Sequence, residues 1–141
     1  LLDPPDEAVA RLVRDLPVAT EAPLVVRAGL PISAVPRFWS AVEKLEAEQE
    51  MTLSMLARWG LGVVYVMVEA KEQLLGPVAE GIRQLAESMA GYAIFERIPL
   101  EFKKGLDVWG PPGDDWPLME TLKSKFDPHR ILSPGRFIGR L

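Results

Sequence analysis

The chain has no cysteine and a single histidine, His129. The first absence removes disulfide frameworks and thiolate nucleophiles, and by the usual inference points to a reducing compartment or to indifference to redox state. The second leaves histidine-based zinc clusters and Ser-His-Asp triads almost no material, so His129 is expected to be structural or solvent-exposed. Neither phosphate-cradling loop that a sequence can reveal is present: no GxGxxG follows a strand-like run, and no GxxxxGK[ST] occurs. Long apolar runs are missing too. The longest, Leu61 to Val68, is far short of the roughly 20 residues that cross a bilayer. Charge of one sign is equally scarce: 16 basic residues stand against 20 acidic ones, giving a net charge of −4, which argues against a cationic nucleic-acid-binding face. There is no internal repeat or low-complexity segment. The carboxylates are scattered, and the pair Asp114-Asp115 reads as helix capping rather than general acid-base machinery.

What is present is enough apolar material for one domain. Nearly half of the 141 residues are hydrophobic, and a chain of this length buries roughly two thirds of its unfolded surface. Leu61 to Val68, apolar on both faces and largely β-branched or aromatic, reads as an interior strand. Met51 to Arg58 precedes it, and Trp59-Gly60 is short enough to turn the chain back into an antiparallel hairpin. Asp3-Pro4-Pro5-Asp6-Glu7 followed by Val9, Leu12, Val13 and Leu16 predicts a short helix ending before Pro17. Leu24 to Ala28 is the first strand. Ser33 is expected to cap a helix with Val35, Phe38, Trp39, Val42, Leu45 and Gln49 on one stripe, its glutamates forming a solvated face. A second helix carries Leu75, Val78, Ile82, Leu85 and Met89, with Gly91 as its stop and Gly76-Pro77 near its start. Tyr92 to Ile98 is the fourth strand, ending at Pro99.

The order β-α-β-β-α-β is that of a ferredoxin-like α+β unit: a four-stranded antiparallel sheet with two helices on one face and the first and third strands central. We therefore expect a single domain over residues 1–141, with an N-terminal helix (1–17), a βαββαβ core (22–99), and a loop, helix and tail (100–141). The second sheet face then needs a cover, either the last 40-odd residues or a partner. Trp109 and Trp116 around Gly110-Pro111-Pro112-Gly113 predict an ordered loop, and Asp114 or Asp115 is expected to cap a last helix bearing Trp116, Met119, Leu122 and Phe126. Two residues have competing readings. Arg97, opposite in facing to Glu96, is either a carboxylate-binding arginine or an ion-paired one on the open face; Trp109 is either a core plug or a substrate platform.

From Leu106 the text changes. Leu106-Asp107-Val108-Trp109-Gly110-Pro111, then the pattern LM-x-x-LK-x-x-FDP-x-x-IL-x-PGRF from Leu118 to Phe137, resembles the carboxy-terminal end of FAD-linked oxidases of the vanillyl-alcohol-oxidase type, most closely the E subunit of bacterial glycolate oxidase. The resemblance implies an α/β cap that closes over a flavin held by an N-terminal FAD-binding domain. Leu1 in place of Met fits an expectation that this domain is missing here and that the chain is a piece of a longer polypeptide. It implies FAD as cofactor, sister subunits of a glycolate oxidase-like complex, and oxidation of a small 2-hydroxy acid, glycolate to glyoxylate. The isolated chain would be inactive and supply no catalytic residue. Arg97 and Trp109 are nominated for substrate binding, and Arg130, Pro134, Gly135, Arg136 and Phe137 for contact with the flavin domain. A cytoplasmic protein, peripheral to the inner membrane through its complex, is expected. Two departures matter: the histidine-rich metal motif of relatives of the D subunit type is absent, so no metal is expected, and the usual Asn before Pro-Gly is Ser133. The rival is a stand-alone ferredoxin-like regulatory or small-ligand-binding module. An RNA-binding module fits poorly, because Leu24 to Ala28 and Leu61 to Val68 lack paired exposed aromatics on a basic sheet.

Overall fold

Valine-rich strands that alternate with amphipathic helices have one economical way to bury their apolar residues, and the chain adopts it. The computed structural model describes residues 7–140, in the order α1 (Glu7–Ala19), β1 (Leu24–Gly29), α2 (Val35–Glu48), β2 (Met51–Arg58), β3 (Val63–Ala70), α3 (Glu72–Ser88), β4 (Tyr92–Arg97) and α4 (Trp116–Phe126). The four strands form one antiparallel sheet, ordered β2-β3-β1-β4. β1 and β3 are central, as the ferredoxin-like reading requires. Val26 pairs with Val66 on one side and Phe95 on the other.

One sheet face, built from Leu24, Val26, Ala28, Val64, Val66, Val68, Ala93 and Phe95, meets Val35, Phe38 and Val42 of α2 and Leu75, Val78 and Ile82 of α3. Burying each large aliphatic or aromatic side chain here contributes about 1.5–3 kcal/mol, so this layer is the main source of stability. The second face is not left bare. Ala22, Val25 and Met67 are buried there, with Leu16 of α1 packed against them. The expected uncovered face is therefore covered at its centre by α1, while Thr52 and Ser54 of β2 and Tyr92 and Glu96 of β4 stay exposed on it.

Several boundaries differ from expectation for local reasons. α1 runs on through Pro17 to Ala19 rather than stopping before it; the Asp3-Pro4-Pro5 start lies outside the described residues. Ser33 is not a cap: Ile32–Ala34 form a 3₁₀ turn and Ala34 occupies the N-cap without a side-chain bond. β3 starts at Val63, because Trp59–Leu61 make a helical turn closed by Gly62 at φ 64. A Cβ at Gly62 would lie 2.1 Å from the carbonyl oxygen of Leu30, so no other residue fits that turn. α3 passes unbroken through Gly76-Pro77. Asp115 sits at the N-cap of α4, but neither it nor Asp114 makes a capping bond.

β2 and β4 are the sheet edges. On β2 the outward N–H of Leu53 donates to the Glu46 carboxylate of α2 at 2.8 Å. On β4 the Phe95 N–H donates to the Val108 carbonyl at 2.8 Å, so the loop after Pro99 lies along that edge.

α3 ends in a Schellman motif, with the Gly91 N–H on the Ala86 carbonyl at 2.9 Å and the Ala90 N–H on the Glu87 carbonyl at 3.0 Å. The left-handed position falls on Ala90, φ 57, one residue before the glycine expected to stop the helix. Ala90→Gly should therefore raise stability by about 0.5–1 kcal/mol, read as a higher urea midpoint at unchanged slope.

Candidate functional site

The segment after Pro99 has little apolar core of its own and is fastened to the sheet by polar groups. The first is Arg83, only 6% exposed on the inner face of α3. Its Nη2 donates to the Asp107 carbonyl at 2.6 Å, its Nη1 lies 3.1 Å from Glu80, and its guanidinium carbon sits 3.9 Å from the Phe95 ring centre. A buried guanidinium is tolerable only with such partners. It pins loop, helix and edge strand together.

The second fastening starts at Asp107, whose Oδ1 accepts the Trp109 backbone N–H at 2.9 Å and turns the indole toward the tail. Trp109 Nε1 donates to the Arg136 carbonyl at 3.2 Å, and the ring meets Phe137 edge-on at 5.0 Å between centres. Residues 27 positions apart in the chain thus come into contact. Beyond them the chain returns to α4, where Trp116 lies against Gly139; a Cβ there would be 2.2 Å from the ring.

Asp127, 4% exposed, makes the third. Its carboxylate accepts the backbone N–H groups of Ile131 and Leu132 at 3.0 Å each and pairs with Lys123 Nζ at 2.6 Å. Lys123 also donates to the Leu132 carbonyl at 2.7 Å. The Lys123 ammonium, then the two backbone donors, hold the carboxyl well below its usual range, at about 2. Arg130, Ser133 and Gly135 carry positive φ of 51, 46 and 69, so the chain reverses tightly around this carboxylate. Asparagine enters the left-handed region more readily than serine. An Asn at position 133 would therefore be explained by backbone shape without any amide chemistry.

Between β4, the loop and the tail lies a cleft of about 780 Å³. Its lining includes Trp109, Gly135, Arg136 and Phe137 together with Arg27, Lys103 and Lys104, against two carboxylates, Glu96 and Asp107. Arg27 Nε lies 2.8 Å from Glu96 in an ion pair, although its N–H is not aimed well enough for a hydrogen bond. Of the nominated residues, the structure thus brings together Trp109, Gly135, Arg136 and Phe137. Pro134 and Arg130 are exposed on the tail beside them but do not line this cleft. Arg97 is elsewhere: its guanidinium donates to the carbonyls of Val18 (3.0 Å), Ala22 (3.2 Å) and Thr20, tying down the end of α1. His129 is exposed. Among the described residues no helix is long and apolar enough to cross a membrane, and no three His, Asp or Glu side chains cluster as metal ligands would.

α4 and the tail also carry exposed apolar residues. Leu118, Leu122 and Phe126 form an i, i+4, i+8 stripe, with Leu118 63% and Phe126 81% exposed, and Ile131 and Leu132 beside it are 73% and 61% exposed. Scattered apolar residues on a surface are ordinary, but a contiguous set is the mark of a contact surface.

Residues 111–137 match the model of a family described as FAD linked oxidases, C-terminal domain. The match supports a C-terminal domain of an FAD-linked oxidase. The region shared with FAD-linked oxidase C-terminal domains contains α4, the Asp127 bracket and Pro134 to Phe137, and lies outside the βαββαβ core. No curated protein and no solved structure matches the chain.

The sequence reading passed over Arg83, Asp127, Arg27, Lys103 and Lys104. Arg83 had a signal: four residues after Ala79 and three before Ala86, it is a charge on an apolar helical stripe. Asp127 looked like a helix stop only.

Because the Asp127 pKa is depressed in the folded chain, its contribution is fully present above about pH 4 and lost as pH falls toward about 2. Protection factors at Ile131 and Leu132, taken relative to the intrinsic exchange rate at each pH, should fall over that window. At neutral pH, Asp127→Asn should speed exchange at the same two amides at least several-fold while β1 and β3 stay protected.

Proposed function

We propose that this chain is the lid of an FAD-dependent oxidoreductase that oxidises a small 2-hydroxy acid, glycolate to glyoxylate, and that it works only against its own FAD-binding domain. The observation that carries the reading is the coincidence of two features in one segment. Residues 111–137, the part matching FAD-linked oxidases, also hold the most exposed apolar stripe, and Asp127 keeps that stripe in one shape without a partner. A surface held rigid before contact binds at lower entropic cost.

In this reading the exposed stripe of Leu118, Leu122, Phe126, Ile131 and Leu132 docks on the flavin domain, with Arg130 and Pro134 at its border. Gly135, Arg136 and Phe137 present the cleft toward the flavin. The cofactor, when bound by that domain, supplies the redox chemistry by taking up the hydride from the α-carbon of the hydroxy acid. The cleft residues orient the substrate: Trp109 and Phe137 offer flat apolar walls, and the cations meet the carboxylate. Arg97 we assign to holding α1 rather than to substrate, since its donors are directed at three carbonyls. Glycolate oxidase-like sister subunits and a cytoplasmic complex belong to the same reading. The rival, a regulatory module pairing through its sheet face, is weakened by α1, which already covers that face through Leu16.

The chain alone should purify colourless and hold no FAD. The full-length protein should be yellow, and its flavin absorbance should bleach when a panel of 2-hydroxy acids is added without oxygen, glycolate among the fastest. Stoichiometric flavin on the isolated chain, or a flavin that no 2-hydroxy acid reduces, sinks the proposal.

A further inference from the structure

The protein is acidic overall, and several of its cations are neutralised locally. Among the described residues, Arg11, Arg14, Arg27, Lys71, Arg83 and Lys123 each face a carboxylate. Arg58 lies over the Tyr65 ring, and Arg97 is spent on backbone carbonyls. Three cations that are not neutralised in this way gather around one cleft. Lys103, Lys104 and Arg136 line the space beside Trp109, and among the described residues none of the three makes an ion pair or donates a side-chain hydrogen bond. Of the two carboxylates in the lining, Glu96 is engaged with Arg27, and Asp107 accepts the Trp109 backbone N–H.

Unpaired like charges crowded on a net-negative protein repel one another and cost free energy that a bound anion would recover. The backbone here is also fixed in advance. Trp109 grips the Arg136 carbonyl and stacks edge-on against Phe137, so the Arg136 side chain starts from a held position and not from a loose tail. A guanidinium presents a planar fork suited to two oxygens of one group, and two neighbouring ammonium groups add charge without fixed direction.

We infer that this cleft is a binding site for a compact oxyanion, gripped by Arg136 with Lys103 and Lys104, and that Trp109 is the positioning residue that holds Arg136 in place. Under the proposed function the oxyanion is the carboxylate of the hydroxy acid, and the assignment of that acid group to Arg136 rests on that reading; the anion site itself does not. Carboxylate and phosphate share the recognising chemistry, and separate titrations tell the two apart.

The test is a titration of the 141-residue chain with sodium glycolate and, separately, with inorganic phosphate, at constant ionic strength set with chloride, followed by amide NMR. Saturable shifts should centre on Trp109, Gly135 and Arg136, with dissociation constants on the order of 1–10 mM for a few solvent-facing charged hydrogen bonds. Tighter glycolate identifies a carboxylate site, and tighter phosphate a phosphate site; either supports the inference. Arg136→Gln should weaken binding about tenfold, since only its backbone carbonyl serves the fold and the fastening survives the change. Arg136→Lys should recover part of the loss. Trp109→Phe, which keeps a ring but loses the donor to Arg136, should weaken binding several-fold while the protein stays folded. Lys125→Gln removes an unpaired cation of α4 that does not line the cleft and should leave binding unchanged. The inference is overturned if neither anion gives saturable shifts at these residues, or if Lys125→Gln weakens binding as much as Arg136→Gln. Failure here would leave flavin reduction in the full-length protein untouched, and an unreactive flavin would leave the anion titration standing.

Discussion

A buried guanidinium, together with the Val108 carbonyl on the Phe95 amide, joins the two parts of this protein. Arg83 reaches from α3 past the Phe95 ring to the Asp107 carbonyl, and the chain of contacts from loop to tail starts from that residue. Asp107 turns Trp109, Trp109 holds Arg136, and Phe137 closes on the indole. Burying such a charge is costly, and its Nε is left without a partner. The arrangement persists because the carboxylate, the carbonyl and the aromatic face offset that cost together. Removing any one partner would strand a desolvated charge, so the parts of the joint depend on one another.

The core and the appended segment are stabilised by different physics. In the core, valines, leucines and Phe38 with no measurable exposure give a layer whose stability is non-directional and tolerant. The segment beyond Pro99 packs Phe102, Leu106 and Val108 on the core but relies further along on a few directional polar contacts, so it keeps a defined shape while leaving the apolar stripe of α4 outside. This division suits a surface that must be presented rather than buried. The ferredoxin-like core supplies the anchorage, and residues 111–137, which match FAD-linked oxidase C-terminal domains, carry the exposed apolar stripe.

The fold was largely legible from apolar periodicity, because β1, β3, α2 and α3 each bury one coherent face. Central placement of the first and third strands followed from the β-α-β-β-α-β order, in agreement with Leu61 to Val68 being the most apolar run. Boundaries were misjudged where backbone geometry outweighed side-chain preference: Ser33 was absorbed into a 3₁₀ turn, and Ala90 took the left-handed position next to an available glycine. The site was legible only in outline. Trp109 and Arg136 to Phe137 stood out as text, but nothing in spacing alone says that an indole N–H meets a carbonyl 27 residues away. Arg97 looked available for an acid group because a strand places it on a face; which face, and that the end of α1 and the turn after it aim three carbonyls at it, depends on tertiary packing that periodicity does not encode.

The Glu46 carboxylate on the Leu53 amide has an effect on how the molecule meets others. A bare outer strand such as β2 invites a foreign backbone to continue the sheet, and a carboxylate already seated on its amide spoils that template. At the opposite edge the loop's own carbonyl occupies Phe95. With both flanks blunted, sheet extension is discouraged and adhesiveness is concentrated on the α4 side. The apolar stripe of α4 thus lies apart from the strand edges, so contact through that stripe and growth of the sheet would be separate events.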